Sequence, residues 1–329
     1  MDGYLGVDVG SVSTNLVIID EEGRVLTDIY MRTRGQPIKA VQEGLREAGK
    51  QVEKGINILG CGATGSARTL TGVIVGADTV KNEITAHAVA ASHEVPEVHT
   101  VLEIGGQDSK IIVLRDRIVT DFAMNTVCAA GTGSFLDHQS ARLNIPIEKF
   151  GEISLKSKNP VRIAGRCSVF AESDMIHKQQ MGHNTEDITA GLCEALVRNY
   201  LNNIGKGKEI VPPIVFQGGV AANTGIRAAF ERALNHEIII PQYFNVMGAI
   251  GAALLAKMEV RNKKTTSFRG FAISDVEYEA SSFECKGCPN LCEIVNIAME
   301  GKILARWGGR CGKWEQLKEE DNQEVKEVG

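Results

Sequence analysis

Apolar and polar residues alternate in short runs at the start of the chain, and glycine-bearing turns break the runs. Tyr4–Val9, Thr14–Ile19 and Val25–Arg32 are separated by little more than Gly10-Ser11 and Gly23-Arg24, a spacing that predicts a three-stranded antiparallel meander. The period then changes. Over Pro37–Lys54, Ile38, Val41, Leu45 and Val52 recur along one helical face. Ile56–Gly60 reads as a strand and Val80–His93 as a helix. The pattern restarts with strands over Thr100–Ile104, Ser109–Leu114 and Arg117–Phe122, again with an acid and glycines at the first turn. Helices opened by loops are predicted over Asn125–Leu143 and Cys167–Gln180, and a long helix over Thr185–Ile204. Ile214–Phe216 is a strand entering a glycine turn and another helix, and Met247–Lys257 is an Ala/Gly-rich helix. A meander that occurs twice, each time followed by helices, predicts two related α/β domains facing one cleft.

Composition adds limits. The chain has 329 residues with 43% hydrophobic and 23% charged, an ordinary globular balance. The formal net charge is −5 and no basic cluster stands out, which argues against a nucleic-acid binder. No apolar stretch approaches the roughly 20 residues needed to span a bilayer, and the acidic start runs straight into a strand, so neither a membrane segment nor a signal peptide is expected. The expectation is a cytoplasmic protein. In that reducing setting the eight cysteines favour metal binding over disulfides wherever they cluster.

Three turns carry nucleotide chemistry. Asp8-Val9-Gly10-Ser11-Val12-Ser13 joins two strands, and its glycine, consecutive N–H groups and hydroxyls suit a phosphate. Asp8 is placed to hold Mg²⁺ through water. Gly105-Gly106-Gln107-Asp108 repeats the device, with Gln107 and Asp108 positioned to orient an attacking water or share the metal. Gly218-Gly219-Val220-Ala221-Ala222-Asn223 follows a strand and opens a helix, where close backbone approach suits a nucleotide. No G-x-x-x-x-G-K-[ST] loop is present. In their order and spacing the three turns resemble the sugar kinase, actin and heat-shock chaperone ATPase superfamily. That resemblance implies duplicated ribonuclease-H-like domains clamping ATP or ADP. It implies a first subdomain over 1–95 rejoined by 246–258 and a second over 96–245, while the change of composition beyond Glu259 sets off a Cys-rich extension over 260–329.

Asn125-Thr126-Val127-Cys128-Ala129-Ala130-Gly131-Thr132-Gly133-Ser134 and Gly165-Arg166-Cys167-Ser168-Val169-Phe170-Ala171-Glu172-Ser173 are the most specific segments. Spacing alone leaves Cys128 and Cys167 open to a reading as small buried side chains. The segments resemble the ATP-dependent activators of 2-hydroxyacyl-CoA dehydratases, within the BadF/BadG/BcrA/BcrD ATPase family, over roughly residues 3–257. The resemblance implies that Cys128 and Cys167 bind one [4Fe–4S] cluster shared across a homodimer, since two cysteines cannot complete four thiolates. It further implies an iron–sulfur acceptor enzyme, such as a dehydratase or a double-cubane cluster protein, and ferredoxin or flavodoxin as donor. Gly131-Thr132-Gly133 is expected as a further phosphate contact, three residues beyond Cys128. Cys61 and Cys193 lack partners in the sequence and read as buried residues.

Beyond Glu259 the polar stretch Arg261–Thr266 reads as a linker. Cys285, Cys288 and Cys292 form C-x2-C-x3-C, and Cys311 follows. Four thiols with Gly and Pro between them suit Zn²⁺ or a second [4Fe–4S] cluster. Two rival functions use the same fold: a small-molecule kinase of the amino-sugar type, which needs neither Cys128 nor Cys167, and a non-enzymatic ATP-dependent metal-sensing switch.

Overall fold

Two five-stranded sheets carry the fold, and the same run of elements builds each. The computed structural model describes residues 1–52, 55–125, 128–261 and 265–314. Lys54, Thr126, Val127, Asn262, Lys263, Lys264 and the side chain of Val52, which fall in segments read above, and residues 315–329 of the extension lie outside the described residues. The first half runs β1 (Asp2–Val9), β2 (Ser13–Ile19), β3 (Val25–Arg32), α1 (Pro37–Val52), β4 (Asn57–Thr64), α2 (Arg68–Val75), β5 (Thr79–Val80) and α3 (Glu83–Glu94). The second runs β6 (Thr100–Ile104), β7 (Ser109–Arg115), β8 (Ile118–Asn125), α4 (Gly133–Arg142), α5 (Ile147–Ser154), α6 (Ser168–Gln180), α7 (Thr185–Asn203), β9 (Ile214–Gln217), α8 (Thr224–Leu234), β10 (Ile238–Ile239) and α9 (Met247–Val260). Sheet order is β3-β2-β1-β4-β5 in one half and, read the same way, β8-β7-β6-β9-β10 in the other. Each meander is antiparallel and continues into parallel strands reached through helices. The duplicated ribonuclease-H-like α/β fold is therefore present.

Packing is layered. Helices α3 and α9 lie between the sheets in a cluster that unites Val17 and Ile19 of the first with Val101, Ile112 and Val215 of the second. Gly6 lets α9 in: a Cβ there would fall 1.9 Å from Ala249 O. Helices α1 and α2 cover the outer face of the first sheet. The outer face of the second is covered by α4–α8 around Tyr200, Phe216 and Phe230, whose rings meet edge to face with centroids 5.2 and 5.3 Å apart. Burying each such ring is worth about 1.5–3 kcal/mol.

Two boundaries and one sheet differ from expectation. Val80 belongs to the short strand β5, and α3 starts only after Asn82, whose side chain accepts the Thr85 N–H at 2.9 Å. That cap outweighs the apolar periodicity preceding it. The helix expected over Asn125–Leu143 is instead the end of β8, a 3₁₀ turn at Ala129–Gly131, and α4. The Asn125 side chain accepts the Cys128 N–H (3.0 Å) and donates to Cys128 O (2.8 Å), so the groups that would continue a helix are spent in a turn. The extension holds a three-stranded antiparallel sheet that the sequence pattern did not signal: β11 (Tyr278–Glu284), β12 (Glu293–Met299) and β13 (Lys302–Trp307). Its lead-in, a 3₁₀ turn over Phe271–Asp275, packs Phe268, Phe271 and Ile273 on the α1/α2 layer. There Gln42 donates to Val276 O (2.7 Å) and Arg46 to Ser274 O (3.0 Å).

Candidate functional site

Strand ends converge on a cleft of roughly 410 Å³ between the halves. Asp8, Gly10, Ser11, Val12 and Ser13 enter it from β1 and the turn after it. Gly105, Gly106, Gln107 and Asp108 enter from the β6–β7 turn, Gly218, Gly219 and Asn223 from the turn after β9, and Gly133 from the start of α4. Two expected contacts are absent from the lining. Thr132 is fully buried and donates its hydroxyl to Ala129 O, and Gly131 backs onto Asn199. They support the cleft wall from behind. Asn223 spends its side-chain oxygen capping α8, accepting the Gly225 and Ile226 N–H groups at 3.0 and 3.1 Å. Its Nδ2, like the Oδ1 of Asn15, is buried at the cleft with no partner among the described residues. Such orphaned polar atoms fit a polar ligand of nucleotide size.

The Asp8 carboxylate is boxed in by two glycines. A Cβ at Gly65, where φ is +91°, would lie 2.4 Å from its Oδ1, and one at Gly248 would lie 2.1 Å from its Oδ2. Around it sits a charge network the sequence did not disclose. Lys110, 2% exposed, pairs with Glu103 at 2.8 Å, Asp108 at 2.9 Å and Glu83 at 3.5 Å. Burial pulls the Lys110 ammonium down, but Glu103, Asp108 and Glu83 overcome it and hold the group above the ordinary lysine range. Burial pushes Asp8 up to about 7, with Lys110 pulling down and Glu83 and Asp108 pushing further up. Glu103 is likewise raised by burial to about 7, against the pull of Lys110. His87 is depressed to about 3 by burial and then by Lys110, so it is neutral and its Nδ1 accepts from Gln217 Nε2 at 2.8 Å. Glu103, Asp108 and Glu83 thus share one buried ammonium, and Asp8, unpaired with it at the cleft, is the carboxylate that fits a hydrated divalent cation of the Mg²⁺ class. Alternation hid this network, because β7 is buried on both faces and Lys110 reads as an outward residue.

The second turn connects directly to Cys128. Gly133 N–H donates to Gly105 O at 2.9 Å and Ser134 N–H to Gly106 O at 2.8 Å. The first N–H groups of α4 therefore clasp the glycine turn. The Cys128 and Cys167 segments meet: Cys128 Sγ lies 3.8 Å from Arg166 O, and Asn199 of α7 donates to Gly165 O (2.8 Å) and Arg166 O (3.3 Å). Cys167 occupies the position before the first turn of α6 without a side-chain cap, and Arg142 of α4 pairs with Glu172 of α6. Both thiols are partly exposed, and Val169 and Phe170, in the first turn of α6 after Cys167, are 67% and 66% exposed. Two partly exposed thiols on segments that meet at Arg166 fit half of a four-thiolate cluster site. Cys61 and Cys193 are buried in cores, where burial raises both thiols, Cys193 to about 12.

The family model described as the BadF/BadG/BcrA/BcrD ATPase family matches residues 5–256. The chain is 37% identical over 260 residues to the (R)-2-hydroxyglutaryl-CoA dehydratase activating ATPase of Acidaminococcus fermentans, covering 77% of this chain and 96% of that one. The solved activator of the 2-hydroxyisocaproyl-CoA dehydratase from Clostridium difficile with bound ADPNP superposes with a TM-score of 0.72 at 32% identity, covering 80% of this chain and 97% of that one. The ethanolamine utilization protein EutJ from Carboxydothermus hydrogenoformans shares the fold at a TM-score of 0.51 and 18% identity, covering 77% and 90%. No helix among the described residues is long and apolar enough to cross a membrane.

Proposed function

The chain belongs to the BadF/BadG/BcrA/BcrD ATPase family, and on that basis we propose that it hydrolyses ATP to drive one-electron transfer from a [4Fe–4S] cluster to a partner iron–sulfur enzyme. The partner class is a 2-hydroxyacyl-CoA dehydratase or a related double-cubane cluster protein, and ferredoxin or flavodoxin is the upstream donor. The similarity to dehydratase activators supports the partner class. The observation that carries the coupling is the pair of hydrogen bonds from Gly133 and Ser134 to Gly105 and Gly106. A turn facing the nucleotide and the loop that begins at Cys128 are one hydrogen-bonded unit.

In this reading ATP lies with its phosphates at Gly10–Ser13 and Gly105-Gly106, and its nucleoside at Gly218-Gly219 and Asn223. Asp8 holds Mg²⁺ through water, and the ion would neutralise phosphate charge. Gln107 and Asp108 orient the attacking water, and Lys110 fixes Asp108 while keeping Glu103 paired. Cys128 and Cys167 of two chains hold the cluster, which would supply a low-potential electron. Domain closure on ATP pulls the Gly105-Gly106 turn, and α4 transmits the shift to Cys128 while the Arg142–Glu172 pair carries it to α6. Only interactions that differ between nucleotide states can move the equilibrium. The test is redox titration of anaerobically purified protein, with partner binding measured in nucleotide-free, ADP and ATP-analogue states. The expected outcome is a lower potential and tighter docking with the ATP analogue. Identical potentials and affinities in all three states would overturn the coupling.

A further inference from the structure

The cysteines of the C-terminal extension come from three places that antiparallel pairing brings to one end of its sheet. Cys285 directly follows β11, Cys288 and Cys292 lie in the β11–β12 connection, and Cys311 follows β13. Glu284 pairs with Glu293 and Val295 with Trp307, so these three strand ends adjoin. The connection is already folded as a knuckle: Cys285 N–H donates to Cys292 O at 2.8 Å and Leu291 N–H to Cys288 O at 3.3 Å. Cys285 Sγ accepts the Trp314 indole N–H at 3.2 Å and a backbone N–H from Gly287. Cationic groups of Arg306 and Lys313 lie 5.6 and 5.4 Å from the Trp314 ring centre. Two donors at the Cys285 sulfur, with the Lys313 cation near it, suit a thiolate set, because four thiolates on a divalent ion leave a net negative charge.

The sheet also needs a fastening. Its buried apolar side chains are Ile294, Ile297, Ala298 and Ile303, a small core for three strands. Segments of this size depend on staples or metals for stability. All four thiols are free, so no disulfide serves. We infer that Cys285, Cys288, Cys292 and Cys311 bind one thiophilic divalent ion, zinc or a single iron, in a tetrathiolate site that closes the open end of this sheet. Among the described residues no three His, Cys, Asp or Glu side chains already stand together as a metal site. Cys288 and Cys311 are exposed and Cys292 is half-buried, so three thiols close on an ion around the anchored Cys285, with folding of the turn coupled to binding. The extension rides on the α1/α2 layer of the first half, whereas Cys128 and Cys167 belong to the second. The site is therefore independent of the proposed dimer cluster.

The experiment uses the full chain carrying Cys128→Ala and Cys167→Ala, purified without oxygen, with metal and acid-labile sulfide analysis. The expected result is about one zinc or iron per chain without sulfide, falling at least tenfold when Cys285→Ser and Cys288→Ser are added. Absence of metal overturns the site, and iron with matching labile sulfide overturns the single-ion assignment. Because serine variants can unfold the sheet, a second measurement uses the unaltered chain. Displacing the metal with a mercurial should release it to a chromogenic chelator and speed proteolysis within residues 278–314. Unchanged cleavage after metal release would overturn the fastening role.

Discussion

Lys110 sets the electrostatics of the cleft, and its loss is the most damaging single change foreseen. Lys110→Met leaves Glu103 buried without its partner, which costs about 3–5 kcal/mol, and chemical denaturation should show the loss directly. Gly248→Ala acts on chemistry instead. Its methyl would sit 2.1 Å from Asp8 Oδ2, so Asp8 must move, and ATP turnover should fall roughly tenfold or more, about 1.4 kcal/mol in barrier, while nucleotide affinity measured by calorimetry changes less. His87 gives a pH signature. Its folded pKa of about 3 lies below the unfolded value, so between the two only the unfolded chain binds the proton. Its contribution to stability is present above about pH 6.5 and is lost as pH falls, with a slope of up to about 1.4 kcal/mol per unit. Asp8 and Glu103 are raised and tilt the profile the opposite way. The diagnostic is therefore a difference: His87→Gln should be less acid-sensitive than the parent in denaturation curves between pH 6.5 and 4.5, and equal slopes would refute it. None of these three residues was marked by the sequence pattern. A buried lysine, a histidine on a helix and a glycine in an Ala/Gly-rich helix show their meaning only when strands and helices meet.

At the scale of elements the glycine turns were legible because each ends an apolar strand, the first two with an acid and the third at the start of a helix. The repeated sheet order followed from the restart at Thr100. The two-residue edge strands β5 and β10 are too short to show a period. Strand β11 has mostly exposed residues and hence no apolar rhythm. The break before α4 was hidden because Asn125 forms its turn through a side chain, and periodicity carries no record of that. Asn199 does similar work between elements, tying α7 to the segment before Cys167 while Asn203 Nδ2 donates to its Oδ1 at 2.9 Å. Asn199→Leu would leave the carbonyls of Gly165 and Arg166 without this donor, at about 1–3 kcal/mol. Hydrogen exchange should then quicken over 128–134 and 163–168 and stay unchanged in β1–β4. Uniform acceleration across the chain would show that Asn199 stabilises the fold in general rather than this joint.

At the scale of the molecule, the thiols sort by location. Cys61 and Cys193 are inside cores, the four of the extension sit with the first half, and Cys128 and Cys167 lie on two segments of the second half that meet at Arg166. In the proposed function one chain would offer two thiols to a cluster that takes four, and a two-fold partner would supply the remainder from the same patch. Val169 and Phe170 stand exposed beside Cys167, as an apolar rim around such an axis would. Phe170→Asp places a charge in that contact at a residue that does not line the nucleotide cleft. Sedimentation of the anaerobic protein should then show a monomer where the parent is a dimer, and the iron bound at Cys128 and Cys167 should be lost with it. Binding of an ATP analogue, followed by calorimetry, should persist because the cleft lies within one chain. The three readings together separate the causes: lost dimer and iron with retained nucleotide binding support a shared cluster. A monomer that keeps its cluster and its redox signal would mean that two thiols of one chain suffice with other ligands, and the shared site would have to be abandoned.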